Sequence, residues 1–488
     1  MEGNGEQQNG KHVVMALDLV ETGTPEQMAE DIAAGGSKKL PEGVSSKFLY
    51  KDIVRIAWPS LIELTLTQLA SMVDMMMIGQ LGAWALTSVG LTTQPKFLLM
   101  SLFVSMNVGA TALIARYKGA GNKAQADTIL RQALVMTFSI SLVMSALGFI
   151  FSEQLIRFMG AQDEQTLAGG TVYLQIQMIG FVFMALTTTF TAALRGAGNS
   201  KTAMLYNMVA NVVNVILNYL LIYGHFGFPE MGVAGASLAT IIGQFVAFLL
   251  ALAAVMGNRN YVRLRFREGM KPNFKVMKTI AAIGVPAMAE QLAMRIGMII
   301  YTKTVASLGN IAYATHQVCM NILSLSFMLG QAFAVSATTL VGQSLGKFRE
   351  DMAELYSKRT QRCGMYIAIL VALVFIFFGG SIVSLYTNEE DVISQGARIL
   401  LFVAAVQPFQ VSQFILAGAL RGAGDTKSTA RISFITVLIV RPVMALFCIN
   451  VLHLGLIGAW IALVCDQLLR TTLVVLRYRS GKWKLIKI

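Results

Sequence analysis

Charge is what this 488-residue chain has least of: Asp, Glu, Lys and Arg make up 13% of it, against 55% apolar residues. A water-soluble protein carries about a quarter charged residues, so most of this surface faces something other than water. Cysteine and histidine are scarce too. The four cysteines, Cys319, Cys363, Cys448 and Cys465, stand singly without a C-x-x-C pair. They read as packing residues, and no redox or metal argument follows from them. The four histidines (12, 225, 316 and 453) are equally scattered, and no H-E-x-x-H, G-x-x-x-x-G-K-[ST] or G-x-S-x-G motif occurs. The common catalytic constellations are therefore absent. A membrane-embedded transferase would need acids, a metal set or a nucleophile clustered at one interface, so the chain does not read as an enzyme.

What the chain does have is long apolar runs. Stretches such as Ala133–Phe151, Ile176–Ala193 and Thr240–Met256 approach the ~20 residues that cross a bilayer as helix. Twelve are predicted, over 53–78, 91–116, 130–151, 170–194, 203–223, 233–256, 276–305, 313–342, 361–386, 395–420, 430–452 and 456–477. The dyad alternation of a membrane β-barrel is missing, so the fold class is an all-α integral membrane protein. Lys and Arg collect in alternate gaps between the spans: Arg116, Lys118 and Lys123, then Arg195 and Lys201, then Arg259–Lys278, and so on to Arg421, Lys427 and Arg431. The other gaps hold almost none, and two are acidic (Glu153, Asp163, Glu164; Glu389, Glu390, Asp391). The positive-inside rule then puts both termini in the cytoplasm of a multi-pass cell-membrane protein. The net charge of +13 is spread over membrane-flanking loops and not gathered on one face, which argues against a nucleic-acid partner. Residues 1–48 are polar and acidic, lack the pattern of a cleaved signal peptide, and read as a disordered cytoplasmic tail.

The chain is one unit written twice. Ala193-Leu-Arg-Gly-Ala-Gly-Asn-Ser-Lys-Thr202 returns as Ala419-Leu-Arg-Gly-Ala-Gly-Asp-Thr-Lys-Ser428. Pro59 and Glu63 return as Pro286 and Glu290, Leu81-Gly82 as Leu308-Gly309, and Gly232-Val-Ala-Gly-Ala236 as Gly455-Leu-Ile-Gly-Ala459, all in order. A collinear repeat at this period is a duplicated domain. The expected organisation is an N-lobe over 49–257, a basic linker over 258–275, a C-lobe over 276–480 and a basic C-terminus over 481–488. Six spans per half return the chain to its starting side, so the halves are parallel repeats, an arrangement that places binding sites between or within them.

The two Arg-Gly-Ala-Gly-[Asn/Asp]-[Ser/Thr]-Lys turns, Val73-Asp-Met-Met-Met-Ile-Gly-Gln-Leu-Gly82 and Val341-Gly-Gln-Ser-Leu-Gly346 together resemble the signature of the MATE (multidrug and toxic compound extrusion) family over residues 50–478. The resemblance implies a V-shaped pair of six-helix lobes, acting as a monomer, that exports small lipophilic organic cations in exchange for H+ or Na+ and uses no cofactor. A lipid-linked precursor exporter of the same broad superfamily is the alternative; it would bring a more cationic cavity and further spans. In the turns themselves, Gly196, Gly198, Gly422 and Gly424 are expected to permit a positive-φ helix exit. Arg195 and Arg421 sit where the helix dipole favours a cation, as hinges or anchors and not substrate contacts.

Ionisable residues inside spans are the candidates for chemistry, because hydrocarbon makes a bare charge costly. Asp74 stands out, since its counterpart in the second repeat is Tyr301 and the carboxylate exists in one lobe only. The resemblance implies an ion or proton site of Asp74, Asn214, Asn218 and Thr240, where Asn218 replaces an Asp that the family pattern often has. That change leaves a possible Na+ at Asp74 with one negative charge fewer. Glu63–Thr67–Ala70–Asp74 follow a single helix face, so Glu63 joins Asp74 as a candidate lining a substrate cavity, together with Glu290 and Tyr301. Glutamates one turn past a proline are equally able to cap freed backbone groups or pair with cations. Arg441 and Asp466 lie at similar depth in spans 11 and 12 and are expected to form a buried structural pair. Twenty-eight Met and 27 Phe suit an adaptable apolar cavity, although both are also ordinary span filler.

Overall fold

The computed structural model describes residues 45–161, 163–265, 269–387 and 389–486; of the tail expected over 1–48, residues 1–44 lie outside them, and residues 46–48 belong instead to the first helix. Twelve helices among the described residues are long and apolar enough to cross a membrane, and none of these residues forms a strand. In chain order they are α1 (Ser46–Gly79), α2 (Ala83–Gly119), α3 (Lys123–Ile150), α4 (Glu164–Gly196), α5 (Ser200–Tyr223) and α6 (Gly232–Met256), then α7 (Phe274–Ala306), α8 (Asn310–Gly346), α9 (Glu350–Ser384), α10 (Glu390–Gly422), α11 (Thr426–Asn450) and α12 (Gly455–Arg479). The protein is thus an all-α multi-pass membrane protein built from two six-helix lobes.

Most helices overrun the apolar stretches that mark them. The run over 91–116 belongs to a helix of 37 residues, about 55 Å at 1.5 Å per residue, against ~30 Å of hydrocarbon. Hydropathy reports only the part in contact with lipid tails; the helix continues until a cap or glycine stops it. Several starts are fixed by side chains that accept a first-turn N–H: Asn122 for α3, Asp163 for α4, Asn199 for α5 and Asn273 for α7. The bonds from Thr166 to Asp163, which lies in a gap between spans, hold its carboxyl below the usual carboxylate range. A short surface helix, Ser152–Phe158, follows α3 and is too short to register in hydropathy. One helix changes type midway: α11 is α-helical over Thr426–Ser433, π-helical over Phe434–Val440 and α-helical again from Arg441.

Within the N-lobe, α4 packs on α2, α3 and α6, and α5 on α6; within the C-lobe, α10 packs on α8, α9 and α12, and α11 on α12. The lobes touch through α2, which packs against both α7 and α8. The linker is stitched to the N-lobe. Val262 and Leu264 enter its apolar core, the Arg263 N–H donates to Asp127 (2.7 Å), and the Gln132 amide holds the Lys271 carbonyl (3.0 Å) and the Asn273 N–H (2.8 Å).

The two lobes meet most closely where α2 and α8 end. A Cβ on Gly119 would stand 2.0 Å from the Gln343 carbonyl oxygen, and one on Gly346 2.0 Å from that of Arg116. Only glycine lets the backbones approach so far. Gly119 and Gly346 are equivalent positions of the two repeats, as are Arg116 and Gln343, so the crossing is symmetric. Around it, Thr339 and Gln343 of the C-lobe donate to the Arg195 and Gly196 carbonyls of the N-lobe turn at 2.9 and 3.1 Å.

Candidate functional site

A cavity of about 760 Å³ lies mainly in the N-lobe, lined by α1, α2, α4, α5 and α6 and completed by Gln331, Thr338 and Arg421 of the C-lobe. Its polar wall is a seam between α1 and α5. Glu63, Thr67 and Asp74 on α1 face Asn207, Asn211 and Asn218 on α5. Each pair is 144 residues apart, because the two helices repeat at the same i, i+4, i+11 spacing and stay in step.

The upper end of the seam holds Asp74. The Asn218 amide donates to Asp74 Oδ1. The Asn214 amide, set so that its NH2 faces the carboxylate, donates to both oxygens at 3.0 and 3.2 Å, and its own oxygen accepts from the hydroxyl and backbone N–H of Thr240 at 3.3 and 3.2 Å. Helices α1, α5 and α6 thus bring together the four residues that the resemblance singled out. Asn218 is fully enclosed and its Oδ1 has no hydrogen-bond partner among the described residues, which leaves an unused acceptor beside a carboxylate that has no salt-bridge partner among them.

The lower end is an ion pair. Glu63 accepts from Arg195 (2.7 Å) and Asn207 (2.6 Å). In the C-lobe Glu290 accepts from Arg421 (2.6 Å), Thr429 and Ser433 (3.1 Å each). Each glutamate therefore neutralises the arginine of its own lobe's turn, the cation-pairing role that its place after a proline left open.

Arg195 and Arg421, expected as hinges or anchors of the turns, both turn back onto a glutamate and line the cavity. Two expectations need correction. Only the second glycine of each turn is left-handed, Gly198 at φ +75° and Gly424 at +87°. Gly196 and Gly422 are helical, and a Cβ there would meet the Thr111 or Thr338 carbonyl oxygen at 2.7 or 2.3 Å, so their requirement is close packing. Finally, Glu290 and Tyr301 do not line the cavity. Glu290 is enclosed by its partners, while Tyr301 is fully buried in the C-lobe core and donates from its hydroxyl to the Ala459 carbonyl (2.9 Å). Arg441 and Asp466 are joined through Arg441 Nε (3.1 Å) and Nη2, both donating to Asp466 Oδ2.

Sequence reasoning passes over Lys96, which lines the cavity and donates to Gln177 (2.9 Å), and Arg470, which also donates to Asp466 (2.6 Å). A span starting at residue 91 makes Lys96 a terminal residue; with α2 beginning at Ala83 it falls well inside. Since Arg195 and Arg421 are both paired, Asp74 and Lys96 are the cavity charges without a salt bridge among the described residues.

The MatE family model matches residues 59–220 and 286–447, once in each lobe. The chain belongs to the MATE family of membrane transporters. Relatives include the probable multidrug resistance protein NorM of Thermotoga maritima, 28% identical over 89% of this chain and 93% of that one, and the uncharacterized transporter YisQ of Bacillus subtilis, 27% identical over 88% and 94%. Among solved structures, a MOP superfamily transporter from Pyrococcus furiosus superposes with a TM-score of 0.83 at 22% identity, over 90% of this chain and 97% of that one. That likeness carries the fold alone.

Proposed function

We propose that this MATE protein is a secondary multidrug efflux antiporter of the cell membrane, exporting small lipophilic cations in exchange for H+ or Na+, with Asp74 loaded by ion and substrate in turn. The observation that carries the reading is an unpaired carboxylate, held by amides from a second helix, on the wall of a cavity large enough for a drug-sized molecule. Methionines 75, 100 and 184 and Phe97 supply the adaptable apolar lining. A substrate cation and a coupling ion that need the same carboxylate exclude one another, and that exclusion is what links their movements. The basic end, where α2 and α8 cross, is the cytoplasmic seal in this reading; export requires it to part in the alternate state. With Asn218 in place of an acid, Asp74 is the only negative charge at the ion site, which suits a proton or a weakly held Na+ and needs no cofactor. Paired arginines leave the cavity without a strong cationic excess, and this favours drug export over the lipid-linked precursor alternative.

The test is efflux of a fluorescent organic cation from proteoliposomes, with Na+ and proton gradients imposed separately. Transport should follow one gradient and fall by at least about tenfold, a loss of ~1.4 kcal/mol or more of transition-state stabilisation, in Asp74→Asn. Undiminished transport in that variant would remove Asp74 from the mechanism.

A further inference from the structure

The duplication allows the Asp74 site to be sought a second time, at the matching place in the C-lobe. Near the seal the copies correspond with a fixed offset. Glu63 is served by Asn207 and Glu290 by Ser433, and Asn207 and Ser433 are 226 residues apart, as Arg195 and Arg421 are. Further along, α11 is π-helical over Phe434–Val440 whereas α5 is α-helical throughout. A π segment accommodates one residue more than the α-helix it interrupts, so beyond it the offset becomes 227. Asn214 then corresponds to Arg441. The outcome is visible in the contacts: Asn214 meets Asp74, and Arg441 lies 5.7 Å over the ring of Tyr301, the copy of Asp74. Both pairs are 140 residues apart.

The second site is therefore filled by a positive charge that the chain itself carries. Arg441 and Arg470 both donate to Asp466 Oδ2, and all three side chains are buried. The other donors are gone: Asn218 corresponds to Ala445 and Thr240 to Leu463. Two guanidinium groups on one carboxylate leave this cluster with a formal excess of one positive charge, where the N-lobe site has one negative charge. A cation arriving in the C-lobe would find repulsion and no vacancy.

We propose that Arg441 is a tethered occupant of the C-lobe copy of the Asp74 site, a built-in cation that keeps this lobe permanently loaded, so that only the N-lobe takes up and releases an ion. The exchange half of this statement rests on the reading of Asp74 given above; the occupancy half stands on the C-lobe contacts alone.

The two halves are tested separately. In purified, detergent-solubilised protein, Arg441→Ala opens a guanidinium-sized vacancy beside Asp466. Its unfolding midpoint should fall by about 5–10 °C and recover in millimolar guanidinium chloride but not in NaCl of equal ionic strength. The N-lobe core variant Phe103→Leu should fall without recovering. An unchanged midpoint, or recovery that does not distinguish the two salts or the two variants, overturns the occupancy. Should Arg441→Ala not fold, guanidinium added during its expression and extraction provides the same comparison, and failure to recover folded protein counts against the proposal.

The second measurement counts protons and radioactive Na+ released per molecule when tetraphenylphosphonium is added. The expectation is about one ion for wild type, none for Asp74→Asn, and about two for Tyr301→Asp/Arg441→Asn, which removes the tethered cation and restores the counterparts of Asp74 and Asn214 in the C-lobe, since each carboxylate site exchanges a single charge. Two ions from wild type, or any from Asp74→Asn, would place a working site in the C-lobe and overturn the proposal. No ion from wild type would refute exchange at Asp74 and leave the guanidinium experiment to decide the occupancy.

Discussion

The α1–α5 seam of the N-lobe and the α7–α11 seam of the C-lobe began as the same sequence and now do opposite things with charge. Both start from a proline, a glutamate one turn later, and an arginine from the turn that follows α4 or α10. Past that shared ion pair they part. The N-lobe continues with Thr67, Asp74, Asn211 and Asn214 along an open cavity, with Asn218 enclosed behind Asp74. The C-lobe closes over Tyr301, Arg441 and Asp466. Duplication supplies two equivalent scaffolds, and a transporter needs its responsive group in only one; the other is free to become a rigid support whose charges are consumed internally.

The comparison is sharpest where symmetry is retained, at the crossing of α2 and α8. If the seal is symmetric, Gly119→Ala and Gly346→Ala should be equally damaging, because each Cβ would be forced to 2.0 Å from a carbonyl oxygen of the opposite lobe. Overpacking of this kind costs ~1–3 kcal/mol, enough to shift a two-state lobe equilibrium by about one or two powers of ten. Accessibility of a cysteine placed at Lys118 to a membrane-impermeant maleimide, measured from each side, should rise comparably in both variants. A large effect in one and none in the other would break the symmetry and assign the seal to a single lobe.

The shared glutamates distinguish the lobes at the next level. Glu63→Gln and Glu290→Gln each strand an arginine. Removing one partner of a fully buried pair costs ~3–5 kcal/mol, and less is expected here because both arginines are about a fifth exposed. Both variants should lose thermal stability. Arg195 and Arg421 both line the cavity, so both variants should also lower the affinity for an organic cation, Glu63→Gln the more, by roughly threefold to tenfold, because Glu63 is itself part of the lining; direct binding of tetraphenylphosphonium measures it. Equal effects on binding would show that Arg421 acts on the cavity as strongly as Arg195 and that these glutamates do not distinguish the lobes.

Much of this architecture is legible in the sequence. The repeat, the twelve spans and the face shared by Glu63, Thr67 and Asp74 follow from spacing alone, because a helix converts spacing into direction. The answering stripe on α5, Asn207, Asn211, Asn214 and Asn218, has the same spacing, but a search confined to ionisable residues passes over the amides Asn207 and Asn211. Lys96 is hidden by hydropathy, which marks the lipid-facing part of a helix and not its ends. The π segment has the least signal. Hydrophobic periodicity scarcely registers one added residue, and only the contacts of Ser433 before it and Arg441 beyond it reveal the change of register. The repeat sets Tyr301 opposite Asp74 and so suggests a cavity around it; the position is equivalent, but the space there is filled by Arg441.

The smallest change acts on the proposed ion site. Asn218 contributes one amide to Asp74 and keeps one oxygen unused. Asn218→Asp would exchange the donor for a second carboxylate, nearly isosteric and on the same helix turn. Two carboxylates at hydrogen-bonding distance either share a proton or hold a cation between them. A hard cation gains from the added charge and from the extra oxygen, so Na+ affinity should rise about tenfold, ~1.4 kcal/mol. Substrate should then compete less well for the loaded site at the same Na+ concentration. Na+ binding by the purified variant, with and without an organic cation present, measures both effects together. A variant that binds no more Na+ than wild type would show that Asp74 exchanges protons only, and would leave the difference between the lobes resting on a titrating carboxylate in one and a fixed guanidinium in the other.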